Sequence, residues 1–552
     1  MIGLGRAPCD EGVIRAAVAD APGCAERVKP WVLAATILGS SMAFIDGSVV
    51  NVALPAIQSE LAMSLRGAQW VVNGYMLMLS ALILVGGAAG DRFGRRRVFA
   101  LGIVVFAVAS IACGLAPAPG ATALIAARAV QGIGGALLVP NSLAIISAVF
   151  PKKERGRAIG TWAGFSALTT ALGPVLGGWL VDVWSWRAIF FVNVPVAFAT
   201  LAVTFWHVPE DRNDGNDAVV DWRGGLLVMA GFGAIVYGLT AASDLGWAHQ
   251  VVIGSLLAGA LVLAVFLWSE ARAPAPMMPL GLFRSPAFAG ANAMTLLLYF
   301  ALGGALFFLP FNLIRIQGYS ATLAGAAFLP FTLIMGGLSR WAGGLVDRYG
   351  ARTPLTVGPV VTAAGLALLA VPGIGGSYWT TFFPAMAVLG LGMAVSVAPL
   401  TTTVMGAVDE RHAGVASGIN NATARVAGML AVAVLGAVAV GVFGAALDER
   451  LAELQVPPEF QRILQEEVPK LAEAQVPPQI IGADRQTLVR VLDESFMRSF
   501  RVTMLVAAGL ALLSALCAWL TVGPAHHRNG AGPSARISRD RNVSLLNPKA
   551  SR

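Results

Sequence analysis

GGAAGDRFGRRR at residues 86–97 and GGLVDRYGAR at residues 343–352 are two copies of one pattern. Gly87, Asp91, Arg92, Gly94 and Arg96 superpose on Gly343, Asp347, Arg348, Gly350 and Arg352 at a constant offset of 256. A chain that repeats itself at such a distance is built from duplicated units. The match continues outside the motif. LLVPNSLAII (137–146) faces SVAPLTTTVM (396–405) with Pro140 and Pro399 offset by 259, and RGRAIG (155–160) faces AGVASG (413–418) with both glycine pairs offset by 258.

What repeats is membrane-spanning. Of 552 residues, 57% are hydrophobic and 12% charged, against roughly 25% charged in a soluble domain. Apolar runs of about 20 residues, the length that crosses about 30 Å of hydrocarbon, recur near 31–56, 69–90, 97–116, 121–142, 157–180, 187–207, 223–242, 250–268, 287–312, 322–345, 354–373, 378–404, 413–443 and 501–522. They are continuous rather than alternating, which excludes a closed β-barrel and leaves a bundle of helices. The first run begins near Trp31 and the ninth 256 residues later, at 287. Spans one to six therefore match nine to fourteen, and spans seven and eight are an insertion.

The predicted fold is an all-α polytopic membrane protein of two homologous six-helix halves plus two inserted helices. It divides into an N-terminal tail (1–30), a first half (31–207), a linker with the two extra spans (208–286), a second half (287–522) and a C-terminal tail (523–552). Residues 445–500 form a polar extracytoplasmic segment within the second half, with helix-like patches such as EFQRILQEEV and DRQTLVRVLDE broken by two Val-Pro-Pro triplets, read either as a cap or partner-docking element or as a solvated loop. Secondary transporters use such repeats and place substrate at their interface.

An even number of spans puts both termini on one side. The tails and the loops on that side carry 25 of the 38 basic residues, against ten on the other, so both termini are expected in the cytoplasm. Residues 1–29 hold four basic residues and no apolar core of a signal peptide, so the first span is expected to be retained. The net charge of +8 follows from this topology, with anionic lipid as a further contact of the basic tails, and calls for no nucleic-acid partner.

The repeated loop sits at a cytoplasmic turn, where arginines are ordinary topology signals. That leaves its glycines and Asp91 unexplained. Gly87 and Asp91 lie four apart on one helix face, where a glycine admits a close neighbour, and Gly94 suits a turn with positive φ. In ALGPVLGGWL (171–180), Gly173 and Gly177 share a face, Pro174 removes a backbone hydrogen bond, and Gly178 adds a further small residue.

These stretches resemble the major facilitator superfamily, and within it the fourteen-span drug:proton antiporters of the EmrB/QacA type. GGAAGDRFGRRR is similar to the signature loop of the superfamily. AFIDGSVVNVALPAI (43–57) resembles the first-span motif of the fourteen-span group, ARAVQGIGGALLVP (127–140) the fourth-span motif built around an arginine, ALGPVLGGWL the fifth-span antiporter motif, and WRAIFFVNVP (186–195) the sixth-span opening. The resemblance implies a cytoplasmic gate formed by Gly87, Asp91, Arg92, Gly94, Arg95 and Arg96 with Asp347 and Arg348. It also implies that Gly173, Pro174, Gly177 and Gly178 lie at the contact between the halves.

Other chemistries find no support. GIGGA (132–136) does not complete a dinucleotide-binding GxGxxG after a strand, no GxxxxGK[ST] loop is present, the five histidines lack ligand spacing and the four cysteines form neither a disulfide nor a zinc pattern. Neither an enzyme nor a metal or organic cofactor is expected. An ion gradient must then supply the energy, and the resemblance implies protons as the coupling ion. Ionisable residues deep within spans are the candidates for coupling or substrate contact: Asp46, Arg128 and Arg425. Asp46 lies about 22 Å along its helix at 1.5 Å per residue, leaving about 8 Å of the core beyond it, and Arg128 enters about 10 Å from the opposite face, so the two charges are expected at similar depth. A fixed ion pair joining two helices is the competing reading.

The favoured function is export of lipophilic small molecules by proton antiport with alternating access. The alternatives are uptake or facilitated transport of an organic solute, and a non-transporting membrane sensor or scaffold. A small-molecule substrate and the bilayer are the expected partners, with a periplasmic adaptor of an efflux assembly as a further candidate. Trp162, Phe165, Tyr299, Phe300, Phe307 and Phe308 either line an apolar pocket or pack the bundle.

Overall fold

The computed structural model describes residues 23–210, 221–274, 276–409, 413–476 and 483–523. Most of the two predicted tails and the acidic linker near Glu210–Asp221 lie outside the described residues. Among the described residues, fourteen helices are long and apolar enough to cross a membrane. They are α1 (Glu26–Glu60), α2 (Leu65–Phe93), α3 (Arg95–Gly114), α4 (Thr122–Val149), α5 (Glu154–Val183), α6 (Ala188–His207) and α7 (Trp222–Leu245), followed by α8 (Gln250–Glu270), α9 (Pro286–Ile316), α10 (Ala321–Ser339), α11 (Arg352–Leu369), α12 (Tyr378–Gly406), α13 (Val415–Glu453) and α14 (Arg485–Thr521). The ends of the bundle are called here the terminal face, where α1 begins and α14 ends, and the far face.

The repeat is visible in packing as well as in sequence. In α4, a Cβ on Gly132 would lie 2.4 Å from the Tyr75 carbonyl of α2, and one on Gly134 would lie 2.6 Å from the Phe106 amide of α3. In α12, Gly390 meets the Phe331 carbonyl of α10 at 2.7 Å, and Gly392 meets the Thr362 amide of α11 at 2.4 Å. Phe331 and Thr362 are Tyr75 and Phe106 displaced by 256 residues, and the glycines are displaced by 258. Such contacts need residues without side chains, because the backbones themselves touch. The turns repeat too: Gly94 has φ 98° and Gly350 φ 73°, each ending one helix just before the next begins.

Between the two sets of six helices, α2 packs on α13, α5 on α10 and α1 on α9. Moving each helix eight places along the chain exchanges the first two pairs, as an approximate two-fold axis requires. α7 packs on α8, α2 and α13, outside both sets.

The segment 445–500 is largely helical, in the patches its sequence suggests: α13 runs on to Glu453, Pro458–Glu467 forms a further short helix, and α14 starts at Arg485. Charges at these ends pair across the two long helices, Arg450 with Glu494 at 3.5 Å and Arg498 with Glu449.

Candidate functional site

Asp46 and Arg128 meet. The Asp46 side chain of α1 is 0% exposed and that of Arg128 in α4 is 2% exposed, with Nη1 donating to Asp46 Oδ2 at 2.5 Å. Isolated, either charge is costly at this depth, and the surroundings complete the pair. Gln131, one turn beyond Arg128, accepts from Arg128 Nη1 at 2.6 Å through Oε1 and donates through Nε2 to Asp46 Oδ1 at 2.8 Å and to Ser110 Oγ at 2.7 Å. Asn193 of α6 donates to the same Ser110 oxygen at 3.3 Å. Arg128 Nε donates to the Val71 carbonyl at 3.1 Å, and its guanidinium lies 4.3 Å from the Tyr75 ring centre. Five helices of the first half thus converge on one carboxylate and one guanidinium.

Gln131, Ser110, Asn193 and Tyr75 were not singled out from the sequence. A signal existed: each is a polar residue well inside an apolar run, and Gln131 stands at i+3 from Arg128 on the same helix face. Among the described residues the second half has no such buried cluster around an ion pair. At offsets of 256 and 258, Asp46, Arg128 and Gln131 correspond to Leu302, Met386 and Leu389, all buried. In the same half, Asn420 of α13 donates to Thr295 Oγ1 of α9 at 2.7 Å, a contact between neutral groups.

The repeated loop departs from expectation in one detail. The close approach to α4 is made by Gly86 and Gly90, whose Cβ atoms would fall 2.1 Å from the Ala136 carbonyl and 1.6 Å from Asn141 Oδ1. Gly87 has ordinary room, 3.6 Å from Pro140 Cβ, because one residue turns the helix by about 100°. Asp91 accepts from Arg95 Nε and Nη2 at 3.0 Å, Arg96 donates to the Phe205 carbonyl at 2.8 Å, and Arg97 pairs with Glu210 at 2.5 Å. Arg92 lies over the ring of Phe93. Arg348 is an exposed residue near the end of the short helix Leu345–Tyr349, and the Asp347 side chain lies outside the described residues.

The glycine cluster of α5 divides between two neighbours. Gly173 and Gly177 face α1, against Ser48 and Val49, inside the first half. Only the next face, carrying Pro174 and Gly178, reaches the second half. A Cβ on Gly178 would lie 2.1 Å from the Ala321 carbonyl, and one on Gly325 would lie 2.0 Å from the Pro174 carbonyl. Asp182 completes the seam by accepting from the Ala321 and Thr322 amides at 3.1 and 2.8 Å. Gly160 lies five whole turns before Gly178 on the same face, yet a Cβ there, or at Gly156 or Gly164, meets nothing within 4 Å. Gly336 and Gly337 of α10 are equally free. α5 and α10 therefore touch at the far face and part toward the terminal face. The α2/α13 seam, by contrast, holds from Gln69, donating to the Val432 carbonyl at 2.6 Å, down to the contact of Leu84 with Gly418.

Arg425 of α13 is half-buried and has neither an ion pair nor a hydrogen bond among the described residues. Of the aromatic candidates, Phe307 and Phe308 pack edge to face at 4.9 Å inside the second half, and Trp162 donates to Ser40 Oγ at 3.0 Å. An apolar cavity of about 310 Å³ lies between α2, α7, α8, α9 and α13, with Leu84, Phe232, Phe266 and Ile419 in its walls.

Comparison with known proteins agrees with this architecture. The profile of the Major Facilitator Superfamily matches residues 36–432. The chain is 35% identical to multidrug resistance protein Stp of Mycobacterium tuberculosis (strain CDC 1551 / Oshkosh), over 93% of this chain and 95% of that one. It is 34% identical to the tetracenomycin C resistance and export protein of Streptomyces glaucescens, over 91% and 94%, and 34% identical to puromycin resistance protein pur8 of Streptomyces alboniger, over 89% and 91%. Among solved structures, a bacterial homologue of the human lysosomal transporter Spinster superposes with a TM-score of 0.61 at 18% identity, covering 90% of this chain and 98% of that one. A D-xylose–proton symporter gives 0.55 at 15%, with the same coverage. At these identities the likeness is one of fold.

Proposed function

Because this chain belongs to the major facilitator superfamily, a family of transporters and not of enzymes, we propose that it exports lipophilic small molecules from the cell in exchange for protons. The relatives named for resistance to or export of tetracenomycin C, puromycin and other drugs support the direction and the substrate range. The surplus of basic residues on the terminal face supports a cytoplasmic location for that face. On this orientation the wedge between α5 and α10 opens to the cytoplasm, where substrate is collected.

The observation that carries the coupling is the sealed Asp46–Arg128 pair joining α1 to α4, present in one half and replaced by Leu302 and Met386 in the other. Arg128 favours the carboxylate, whereas desolvation favours the neutral acid, so the balance depends on their separation. When the halves rock and the far face opens, α1 and α4 draw the pair apart, Asp46 takes a proton from outside, and substrate leaves. Return to the closed far face restores the pair and expels the proton inward. Gln131 stabilises both ends of the pair, so the uncharged state of Asp46 retains a hydrogen-bond partner.

The test is flux of a lipophilic dye into inverted membrane vesicles with an imposed pH gradient. Asp46→Asn keeps the shape and an acceptor for Arg128 and is expected to abolish gradient-driven uptake while retaining dye binding. Full gradient-driven uptake by this variant would overturn the assignment, and accumulation of solute in the opposite direction would favour the uptake reading.

A further inference from the structure

Among the described residues the charged side chains deepest in the spans are Asp46, Arg128 and Arg425, and they do not cancel. Asp46 and Arg128 neutralise one another in a sealed cluster, which leaves Arg425 as an uncompensated positive charge. The face it occupies on α13 follows from its neighbours. Gly418 and Gly436 touch α2 at Leu84 and Gln69, and Met429 and Ala433 pack with Leu77 and Val236 of α2 and α7. On another side of the helix, Asn420 bonds Thr295 and Leu435 touches Gly304, both of α9. Between these two faces runs the stripe Asn421, Arg425, Gly428, at spacings of four and three residues. Asn421 is exposed, and a Cβ on Gly428, whose backbone abuts Gly303 of α9 at the edge of the stripe, meets nothing within 4 Å. The stripe therefore looks into the gap between α2 and α9, which is the space between the two halves.

Its depth is fixed in the same way. The α2/α13 seam runs from Leu84 with Gly418 to Gln69 with Gly436, and Arg425 falls between these levels. Tyr75, whose ring carries the Arg128 guanidinium 4.3 Å from its centre, lies on α2 between the same two levels. Arg425 thus stands near the depth of the Asp46–Arg128 pair.

We propose that the central space receives an anionic lipophile, an apolar body bearing a carboxylate, sulfonate or enolate-type oxygen, and that Arg425 with the Asn421 amide beside it holds that group. The inference rests on the export reading and narrows it to a substrate class. A guanidinium presents a planar fork of donors that matches such oxygens, and in a low-dielectric space an unpaired charge both attracts an anion and repels a cation. Among the described residues a permanent cation finds no free carboxylate on this wall, because Asp46 is already paired with Arg128.

The experiment uses the full chain in lipid nanodiscs and three fluorescent probes, with signal from empty nanodiscs subtracted. 8-Anilinonaphthalene-1-sulfonate and N-phenyl-1-naphthylamine share one apolar body with and without the anion, and ethidium supplies a cation. The wild type is expected to bind the sulfonate more tightly than the neutral amine and both more tightly than ethidium. R425Q should lose at least about tenfold in sulfonate affinity, the scale of a lost charge-assisted hydrogen bond, with less than about a twofold change for the neutral amine, which also reports a folded site. R425K should retain an intermediate affinity. Equal sulfonate binding by wild type and R425Q, tighter wild-type binding of ethidium, or no saturable sulfonate binding would overturn the proposal. Binding is read without a gradient, so its outcome is separate from the export reading: Arg425-dependent binding with no flux would sink export alone, and export of the neutral amine without sulfonate binding would sink this inference alone.

Discussion

Replacing Gly178 by alanine puts a methyl group where no space exists. Its Cβ would sit 2.1 Å from the Ala321 carbonyl oxygen and 2.4 Å from the carbonyl carbon. Both are backbone atoms that cannot rotate aside. Ordinary contact begins near 3.4 Å, so α5 and α10 must part by about 1.3 Å. Overpacking of this kind costs about 1–3 kcal/mol, and the cost falls only on the state in which the far face is closed. The ratio of closed to open molecules should therefore drop by between about fivefold and about 150-fold. Spin labels at Trp184 and Leu323, 70% and 59% exposed beside the seam, would report the two populations as a short and a long distance in double electron–electron resonance. Gly160→Ala lies on the same face of α5 in open space and should leave the distribution unchanged. A short-distance population in Gly178→Ala within twofold of the wild type would refute the claim that this contact closes the far face.

Asp91→Asn weakens the bond to Arg95 that ties the start of α3 to the end of α2. It should lower the transport rate in vesicles while leaving the amount of folded protein in the membrane unchanged, and Asp347→Asn, in the copy of the loop that lacks the triple arginine, should have the milder defect. On the far face, burial pushes the Glu473 carboxyl up to about 7, with the adjacent Arg315 opposing the rise. The docked segment then holds its proton more tightly than an undocked one, so docking is fully favoured below the ordinary carboxylate range and weakens as pH rises through about 7. Hydrogen exchange of residues 458–476, corrected for intrinsic pH dependence, should show more protection at pH 5.5 than at pH 8, and Glu473→Gln should flatten the difference. Cytoplasmic reporters fused after His207 and after Trp268 should be active, and one fused near Ser243 inactive, if α7 and α8 both cross the membrane with the terminal face inside.

Much of this architecture is legible in the sequence because the bilayer imposes one rule on every span. Any apolar run of sufficient length becomes a helix, so counting runs counts helices, and an offset of 256 relates the halves without knowledge of any contact. The meeting of Asp46 with Arg128 is legible for the same reason, since depth along a straight helix follows from residue number. What the sequence hides depends on azimuth and partners. Gly86 and Gly90 touch α4 while Gly87 does not, and Gly178 reaches α10 while Gly177 faces α1; a shift of one residue decides between them, and no count of runs resolves it. Ser110 and Asn193 join the buried cluster across 83 residues of chain, a relation set by how α3 and α6 rotate. The pairing of charges between the ends of α13 and α14, Arg450 with Glu494 and Arg498 with Glu449, is likewise set by how the two helices lie side by side.

The inserted pair of helices also changes what surrounds the moving parts. α7 lies over the line where α2 meets α13, so that boundary has a protein roof. Among the described residues no helix covers the corresponding line between α5 and α10, and Leu323 and Leu333 of α10 are 59% and 60% exposed beside it. Acyl chains are therefore the fourth wall of the wedge on one flank alone. Lateral pressure and lipid shape press on the opening at α5 and α10 and leave the opposite boundary screened, so a bundle with a two-fold backbone sits in its membrane as a one-sided hinge.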